Sequence, residues 1–386
     1  MDRVLQANLE KRHRQYLYRS RVNISSGCSA VINVDGKQLH NFCSNDYLGL
    51  ASHGDIAQAF KQGVDKYGAG SGASHLISGH SEAHEHLENQ LAEFTKRPRA
   101  LLFSSGYMAN MGVISALVGR HDLVLQDYLN HASLLDGGLL SRAAFQRFKH
   151  RDTENLDAKL SAADGARKLV VTDAVFSMDG DLAPLEDIAT VAARHNGWLM
   201  VDDAHGFGVL GSSGGGLIEE LNLSIDQVPI LMGTLGKAFA TYGAFVAGSE
   251  ALIETLIQFS RNYIYTTAPP PAIAVATSAS LKLVQSEQWR RDKLNQLIAR
   301  FRSGALQIGL QLMDSKTAIQ PVLMDADQTD QQVLEISGKL RDSGFMVGAI
   351  RPPTVPKGTG RLRITLSANH SEEQVDALLD ALDRCR

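Results

Sequence analysis

A chain of 386 residues, 44% hydrophobic and 21% charged, has the composition of a soluble globular protein with room for one large core or two to three domains. Its formal net charge of −4 gives no reason to expect a nucleic-acid surface, and no apolar stretch is long enough to span a bilayer, so no membrane partner is expected. The three cysteines, Cys28, Cys43 and Cys385, form no CxxC, which argues against a disulfide framework or zinc site and fits a reducing, cytoplasmic setting.

Residues 2–20 carry Val4, Leu5 and Leu9 at helical spacing and are expected as an amphipathic helix with a basic outer face. They hold no apolar run of the secretory kind, and Asp2 and Glu10 argue against a transit peptide. Residues 30–34 and 38–42 read as a hairpin turning at Asp35-Gly36. A helix is expected over 55–66. Apolar runs then recur at 100–103, 123–126, 169–175, 198–201, 229–232 and 244–247, with helical patterns such as 185–194 between them. This alternation predicts an α/β fold, a mainly parallel sheet covered on both faces. Past Pro269-Pro270-Pro271 the pattern changes to long helices over 273–285 and 289–307, short strands, and a final helix over 371–383. The chain divides by pattern into an N-terminal helix and hairpin segment (1–45), a large domain (46–272) and a C-terminal α+β domain (273–386). The terminal charges, Arg384 and Arg386, read as a solvated end.

Ligands of parallel sheets sit beyond the carboxyl ends of the strands, and the chemistry-bearing residues fall there. In Leu231-Met232-Gly233-Thr234-Leu235-Gly236-Lys237, one lysine stands on a Gly-rich turn after an apolar run, with no other Lys or Arg between Arg194 and Arg261. Desolvation there makes the amine more nucleophilic, as a Schiff-base lysine requires; alone, it also reads as a surface lysine. Asp202 ends another run, where a carboxylate can hold a cationic ring nitrogen, although Asp202 or Asp203 could equally cap the next turn. Ser105-Gly106-Tyr107 opens a helix whose free N–H groups suit a phosphate, to which Thr234 could add a hydroxyl. His131 could stack on a planar ring, and Ser177 and His205 could contact a ring oxygen. Taken together these groups match the needs of pyridoxal 5'-phosphate (PLP): lysine, acid, flat imidazole, hydroxyl and phosphate cradle.

Weaker patterns compete. Gly206-Phe207-Gly208-Val209-Leu210-Gly211 has dinucleotide spacing but a poor helix start behind it. Gly211-Ser212-Ser213-Gly214-Gly215 has the form of a nucleophile elbow without the preceding strand. His80, His84 and His86 invite a metal reading but lack a water-activating HExxH, so no metal is expected.

As a set, Ser44-Asn45-Asp46-Tyr47-Leu48-Gly49-Leu50, Phe176-Ser177-Met178-Asp179-Gly180-Asp181, Asp202-Asp203-Ala204-His205-Gly206 and Gly233-Thr234-Leu235-Gly236-Lys237-Ala238 resemble the α-oxoamine synthases, in order and over nearly the whole chain. The resemblance implies a fold-type-I PLP-dependent transferase that condenses an amino acid with an acyl thioester and releases carbon dioxide. Ala349-Ile350-Arg351-Pro352-Pro353-Thr354-Val355-Pro356 and the stretch 201–208 point, by the same resemblance, to L-alanine and a pimeloyl thioester, on CoA or acyl carrier protein, as substrates in biotin biosynthesis. It further implies that Arg363, with Asn45 beside it, grips the amino-acid carboxylate. Arg351, with Arg19 or Arg21, would meet the far carboxylate or the carrier, and Thr266 and Thr267 would reach the partner subunit's phosphate in a homodimer with its active site at the interface. Two departures touch the acyl pocket: Ala240-Thr241-Tyr242 replaces a Gly-rich loop, which should limit positive φ, and His75 stands where arginine is common. Family members using glycine and acetyl-CoA, or other amino acids, remain open alternatives, as does a PLP-less binding subunit.

Overall fold

The apolar runs of the middle of the chain are buried strands, and adjacent residues in them face opposite ways. In the computed structural model, which describes residues 1–163, 167–323, 330–352, 354–356 and 358–385, Val170, Leu199, Val201 and Leu231 pack into one apolar cluster. Their neighbours Leu169, Val171, Met200, Ile230 and Met232 pack into another on the opposite face. The period of two in the pleat thus gives the sheet two apolar faces. Pro353 of the motif noted above and Arg386 of the terminal charge run lie outside the described residues.

Contacts divide the chain into two compact units. One comprises Leu50–Phe176 and Leu182–Gln288; the other comprises Met1–Gly49, Ser177–Asp181 and Trp289–Arg386. The first holds a seven-stranded sheet in the order Arg99–Phe103, Ala244–Gly248, Ile230–Thr234, Trp198–Asp202, Lys168–Asp173, Leu123–Asp127, Ala144–Phe148. Ala244–Gly248 runs antiparallel to both neighbours, and the other pairings are parallel. The strand Ala144–Phe148 has no counterpart among the apolar runs. It lies at the sheet edge and alternates exposed with half-buried residues, so hydrophobicity does not mark it. The helix Leu185–Arg194 forms where its apolar stripe predicts, burying Leu185, Ile188, Ala189, Val191 and Ala192. Helices Gly54–Tyr67 and Pro271–Ser286 approach closely at Gly63, where a Cβ would lie 2.7 Å from the Cα of Ala272.

The second unit contains the hairpin Val31–Val34 and Lys37–Asn41, extended by Phe345–Met346. Asp35 and Gly36 take the positive φ values, 50° and 79°, of a tight hairpin turn. A four-stranded sheet, Gln311–Leu312, Ile319–Leu323, Arg361–Thr365 and Gly348–Ile350, lies in the same unit with the helices Trp289–Gln307, Asp330–Asp342 and Glu372–Cys385. The N-terminal helix ends at Arg14, short of the expected residue 20, and buries none of its residues. Its termination has a local cause: Tyr16 adopts a φ of 57°, and the Arg351 guanidinium takes the carbonyls of Tyr16 and Tyr18, each at 2.6 Å.

Candidate active site

Three neighbouring parallel strands end in an acid: Asp127, Asp173 and Asp202. Asp202 and Asp203 divide the two roles that the sequence leaves open. Asp203 points into the following loop, where its Oδ2 accepts from the Leu217 N–H at 2.7 Å. A Cβ at Gly206 or Gly216 would collide with its carboxylate oxygens. Of the dinucleotide-like glycines, Gly206 makes room for the protein's own Asp203 while Gly208 and Gly211 lie against Ala238 and Glu219, and the next helix starts only at Leu217. Burial pushes the Asp203 carboxyl up to about 7.

Asp202, also buried, faces a different set. Its Oδ1 accepts from the Ala204 N–H at 3.0 Å, and its Oδ2 from the Asn110 amide at 2.7 Å. The same amide reaches the Ser133 hydroxyl at 2.8 Å, and that hydroxyl lies 2.8 Å from His131 Nδ1. His131 caps the helix Ala132–Ser141, and its backbone N–H donates to Asp173 Oδ2 at 2.7 Å. Desolvation lowers the His131 pKa; the nearby Asp202 charge opposes this and the Lys237 charge assists it. The Asp173 carboxyl is held well above its usual range by burial and by the charge of Asp202.

Lys237 is half-buried on the turn after Ile230–Thr234, with its Nζ 2.8 Å from His205 Nε2. The turn itself departs from expectation. Ala240 takes a φ of 57° despite its Cβ. Backbone bonds from Ala240 to Lys237 and from Thr241 to Leu235 hold it, and Thr241 Oγ1 meets Thr277 Oγ1 at 2.8 Å. The Thr234 hydroxyl donates to the Gly243 carbonyl at 3.2 Å and accepts from Gly236 N–H, so here it closes the loop.

Ser105 caps the helix Gly106–Leu117 by accepting from Met108 N–H at 3.3 Å. The N–H groups of Gly106 and Tyr107 have no acceptor within the helix. Tyr107 is exposed and donates to Asp136. Ser74 and Thr267 form a bridge, with Thr266 half-buried and Thr267 exposed.

In the other unit, Arg363 is buried with its fork already aimed. Nε donates to the Ser177 carbonyl at 2.7 Å, Nη1 to Thr365 Oγ1 at 2.9 Å, and both Nη atoms lie 3.4 to 3.5 Å from Asn45 Oδ1. Arg361 pairs with Asp179, which fixes the same short segment. Arg351 is committed to the backbone at Tyr16 and Tyr18, Arg19 reaches Thr354 Oγ1 at 3.3 Å, and Arg19 and Arg21 line an open groove.

The sequence profile of the aminotransferase class I and II family matches residues 37–382. The chain belongs to that family. A relative named 8-amino-7-oxononanoate synthase, from Cellvibrio japonicus (strain Ueda107), is 60% identical over 99% of this chain and 95% of its own length. A solved serine palmitoyltransferase from S. paucimobilis, with bound PLP and myriocin, superposes with a TM-score of 0.92 at 30% identity, covering 99% of this chain and 96% of its own. A solved 8-amino-7-oxononanoate synthase from Francisella tularensis gives 0.78 at 34% identity, covering 90% of this chain and 97% of its own. The α-oxoamine synthase resemblance of the motifs is thereby borne out, as is the fold type.

The residues of this aminotransferase-family chain fit PLP. The desolvated Asp202 is held by two donors and suits a cationic ring nitrogen, the Lys237 amine suits an aldehyde, and the open helix start at Gly106 suits a phosphate. Three supporting residues escaped the sequence reading: Asn110, Ser133 and Asp173. Asn110 is a lone amide on an otherwise apolar helix, and Asp173 ends its strand as Asp202 does; both signals were present. Two competing patterns resolve differently. Ser213 Oγ donates to Glu219 at 2.7 Å. The histidine cluster is His75, His80 and His84, with ligand atoms within 4.8 Å of one another, and it does not include His86. His84 uses both nitrogens in the fold, Nδ1 accepting from Ser81 N–H at 3.1 Å and Nε2 meeting the Pro269 carbonyl at 2.8 Å.

Proposed function

We propose that the chain catalyses the decarboxylative condensation of L-alanine with a pimeloyl thioester, giving 8-amino-7-oxononanoate, carbon dioxide and the free thiol. The observation that carries this reading is the near-full-length identity to the Cellvibrio japonicus enzyme of that name. Buried Asp202 and half-buried His205 and Lys237 supply groups suited to the chemistry. Bound PLP supplies an electron sink that acidifies the Cα–H bond of the amino acid. The Lys237 amine would hold the cofactor's aldehyde, and the same amine is placed to take the Cα proton of alanine and later return one. Asp202 would keep the ring nitrogen protonated, His131 would stack on the ring, and Ser177 and His205 would contact its oxygen. Ser105, Gly106, Tyr107 and Thr234 hold the phosphate, Thr234 by turning its hydroxyl from Gly243. Arg363 and Asn45 hold the alanine carboxylate; the guanidinium is pre-aimed by Ser177 and Thr365, so little rotamer entropy is lost on binding. A carbon–carbon bond forms at the thioester carbonyl, the C–S bond breaks, and the β-keto acid then loses carbon dioxide.

The far carboxylate meets Arg19 and Arg21, with Arg351 acting mainly through the strap that it clamps. The enzyme works as a cytoplasmic homodimer, with Thr266 and Thr267 serving the partner's phosphate. Leu76, Ile77 and Tyr265, exposed large apolar residues beside the Ser74–Thr267 bridge, support such an interface. The deciding experiment incubates the PLP-loaded protein with alanine, glycine or serine against pimeloyl, acetyl and palmitoyl thioesters and identifies products by mass. Condensation of glycine with acetyl-CoA, and none of alanine with pimeloyl thioesters, would overturn the assignment.

A further inference from the structure

Hydrogen-bond donors converge on one nitrogen of His131, and they determine where its proton sits. The backbone N–H of Ser133 points at His131 Nδ1 at 3.3 Å, and an N–H can only donate. The Ser133 hydroxyl lies 2.8 Å from the same nitrogen. That hydroxyl already accepts from the Asn110 amide at 2.8 Å. The amide cannot be turned round, because its other contact, at 2.7 Å, is the Asp202 carboxylate, which requires a donor. The backbone N–H of Ser133 thus requires a lone pair on Nδ1, and with Nδ1 an acceptor the Ser133 hydroxyl, held by the Asn110 amide on one lone pair, turns its own hydrogen to the same nitrogen.

We infer that Asn110 and Ser133 are positioning residues that fix His131 as the neutral Nε2–H tautomer, making it a hydrogen-bond donor toward a substrate oxygen. The sense of the chain is set from both ends: the Asp202 carboxylate orients the Asn110 amide toward the Ser133 hydroxyl, and the Ser133 backbone N–H makes Nδ1 the acceptor of that hydroxyl. Asp173 completes the arrangement from below by taking the His131 backbone N–H, while Asn130 Oδ1 accepts from Asp173 N–H at 3.0 Å. Two donors facing Nδ1 also oppose a second proton there, since an imidazolium would set N–H against N–H. Among the described residues no protein group takes Nε2, and the ring is exposed, so its proton is available to a bound molecule. The acceptor that the condensation generates first is the thioester carbonyl oxygen, which gains negative charge as the C–C bond forms and passes it to the leaving sulfur as the C–S bond breaks. A neutral N–H donor stabilises that oxygen without transferring its proton. The same carboxylate that serves the ring nitrogen thus also orients the amide that holds Ser133 against the imidazole.

The use of this donor rests on the condensation reading; the tautomer does not. Neutron diffraction from deuterium-exchanged crystals of the PLP-loaded enzyme at neutral pH reads the tautomer directly. The expected result is deuterium on His131 Nε2, none on Nδ1, and the Ser133 O–D aimed at Nδ1. Deuterium on Nδ1 would overturn the inference whatever the activity. An enzyme with deuterium on Nε2 that never condensed alanine would instead sink the functional reading and leave the tautomer standing. As a second measurement, Ser133→Ala should lower kcat roughly tenfold, less than the ~10²-fold or more expected for loss of the imidazole, with KM for alanine and retention of PLP unchanged. Ser133→Thr, which keeps the hydroxyl, should recover most of that loss. A Ser133→Ala enzyme with parental kcat would refute the positioning role.

Discussion

At the scale of single residues, burial decides which groups are poised and which are merely costly. Lys237 is the only lysine or arginine between Arg194 and Arg261, and its amine meets His205 Nε2 at 2.8 Å. Lys237→Ala should lower condensation by ~10³-fold or more, because one group carries both imine formation and proton transfer; a stopped assay by mass spectrometry checks it, and near-parental turnover would contradict the assignment. Asp203 is a different kind of buried acid, with its carboxyl raised from 3.8 to about 7. The unfolded chain releases this proton near pH 4 and the folded chain only near 7, so its contribution to stability is full below pH 4 and is lost as pH rises to about 7. Asp203→Asn keeps an acceptor for the Leu217 N–H and removes the titration. Urea unfolding at pH 5 and pH 8 should therefore show a smaller drop in stability for the variant than for the parent. Identical drops would mean that the charge on Asp203 is relieved in some other way.

At the scale of elements, the turn after Ile230–Thr234 shows a hydrogen-bonded loop overriding local preference. Its sequence, Ala240-Thr241-Tyr242, argues against positive φ, yet Ala240 adopts 57°. The bonds of Ala240 N–H to Lys237, Thr241 N–H to Leu235, and Leu235 N–H to Gly243 close the turn around that conformation. An alanine in this region costs about 1–2 kcal/mol, and a β-branched residue more. Ala240→Val should lower stability by about 1–2 kcal/mol in chemical denaturation and weaken PLP retention, since Lys237 stands on the same turn. Unchanged stability would show that the turn relaxes away from positive φ. The N-terminal helix is a second case. Its apolar spacing is real, but none of its residues is buried against the described residues of the chain, and it stops at Arg14.

At the scale of the whole molecule, the exposed apolar side chains of Leu76, Ile77 and Tyr265 call for a partner surface, and Ile77 is 81% exposed. If the proposed homodimer buries this surface, Ile77→Asp should shift the protein from dimer toward monomer in analytical ultracentrifugation, with PLP retention falling in parallel. A variant that sedimented as the parent does would place the interface elsewhere.

Sequence by itself determined the class of fold and the main chemical groups. Parallel strands buried on both faces must be apolar throughout, so Lys168–Asp173, Trp198–Asp202 and Ile230–Thr234 are legible as runs, and the candidate site residues Asp202 and Lys237 stand at or just past their ends by the rule of strand ends. The edge strand Ala144–Phe148 was illegible because one side of it meets water. What only the tertiary structure decided is the sharing of roles between like residues. Asp202 and Asp203 are adjacent in the chain, but the strand pleat sends one to Asn110 and the other into the Gly206–Gly216 loop. The link from Asp202 through Asn110 and Ser133 to His131 joins residues from different elements, up to 92 positions apart. No local pattern encodes a contact of that kind, because hydrogen-bond direction depends on atoms that only folding brings within 3 Å.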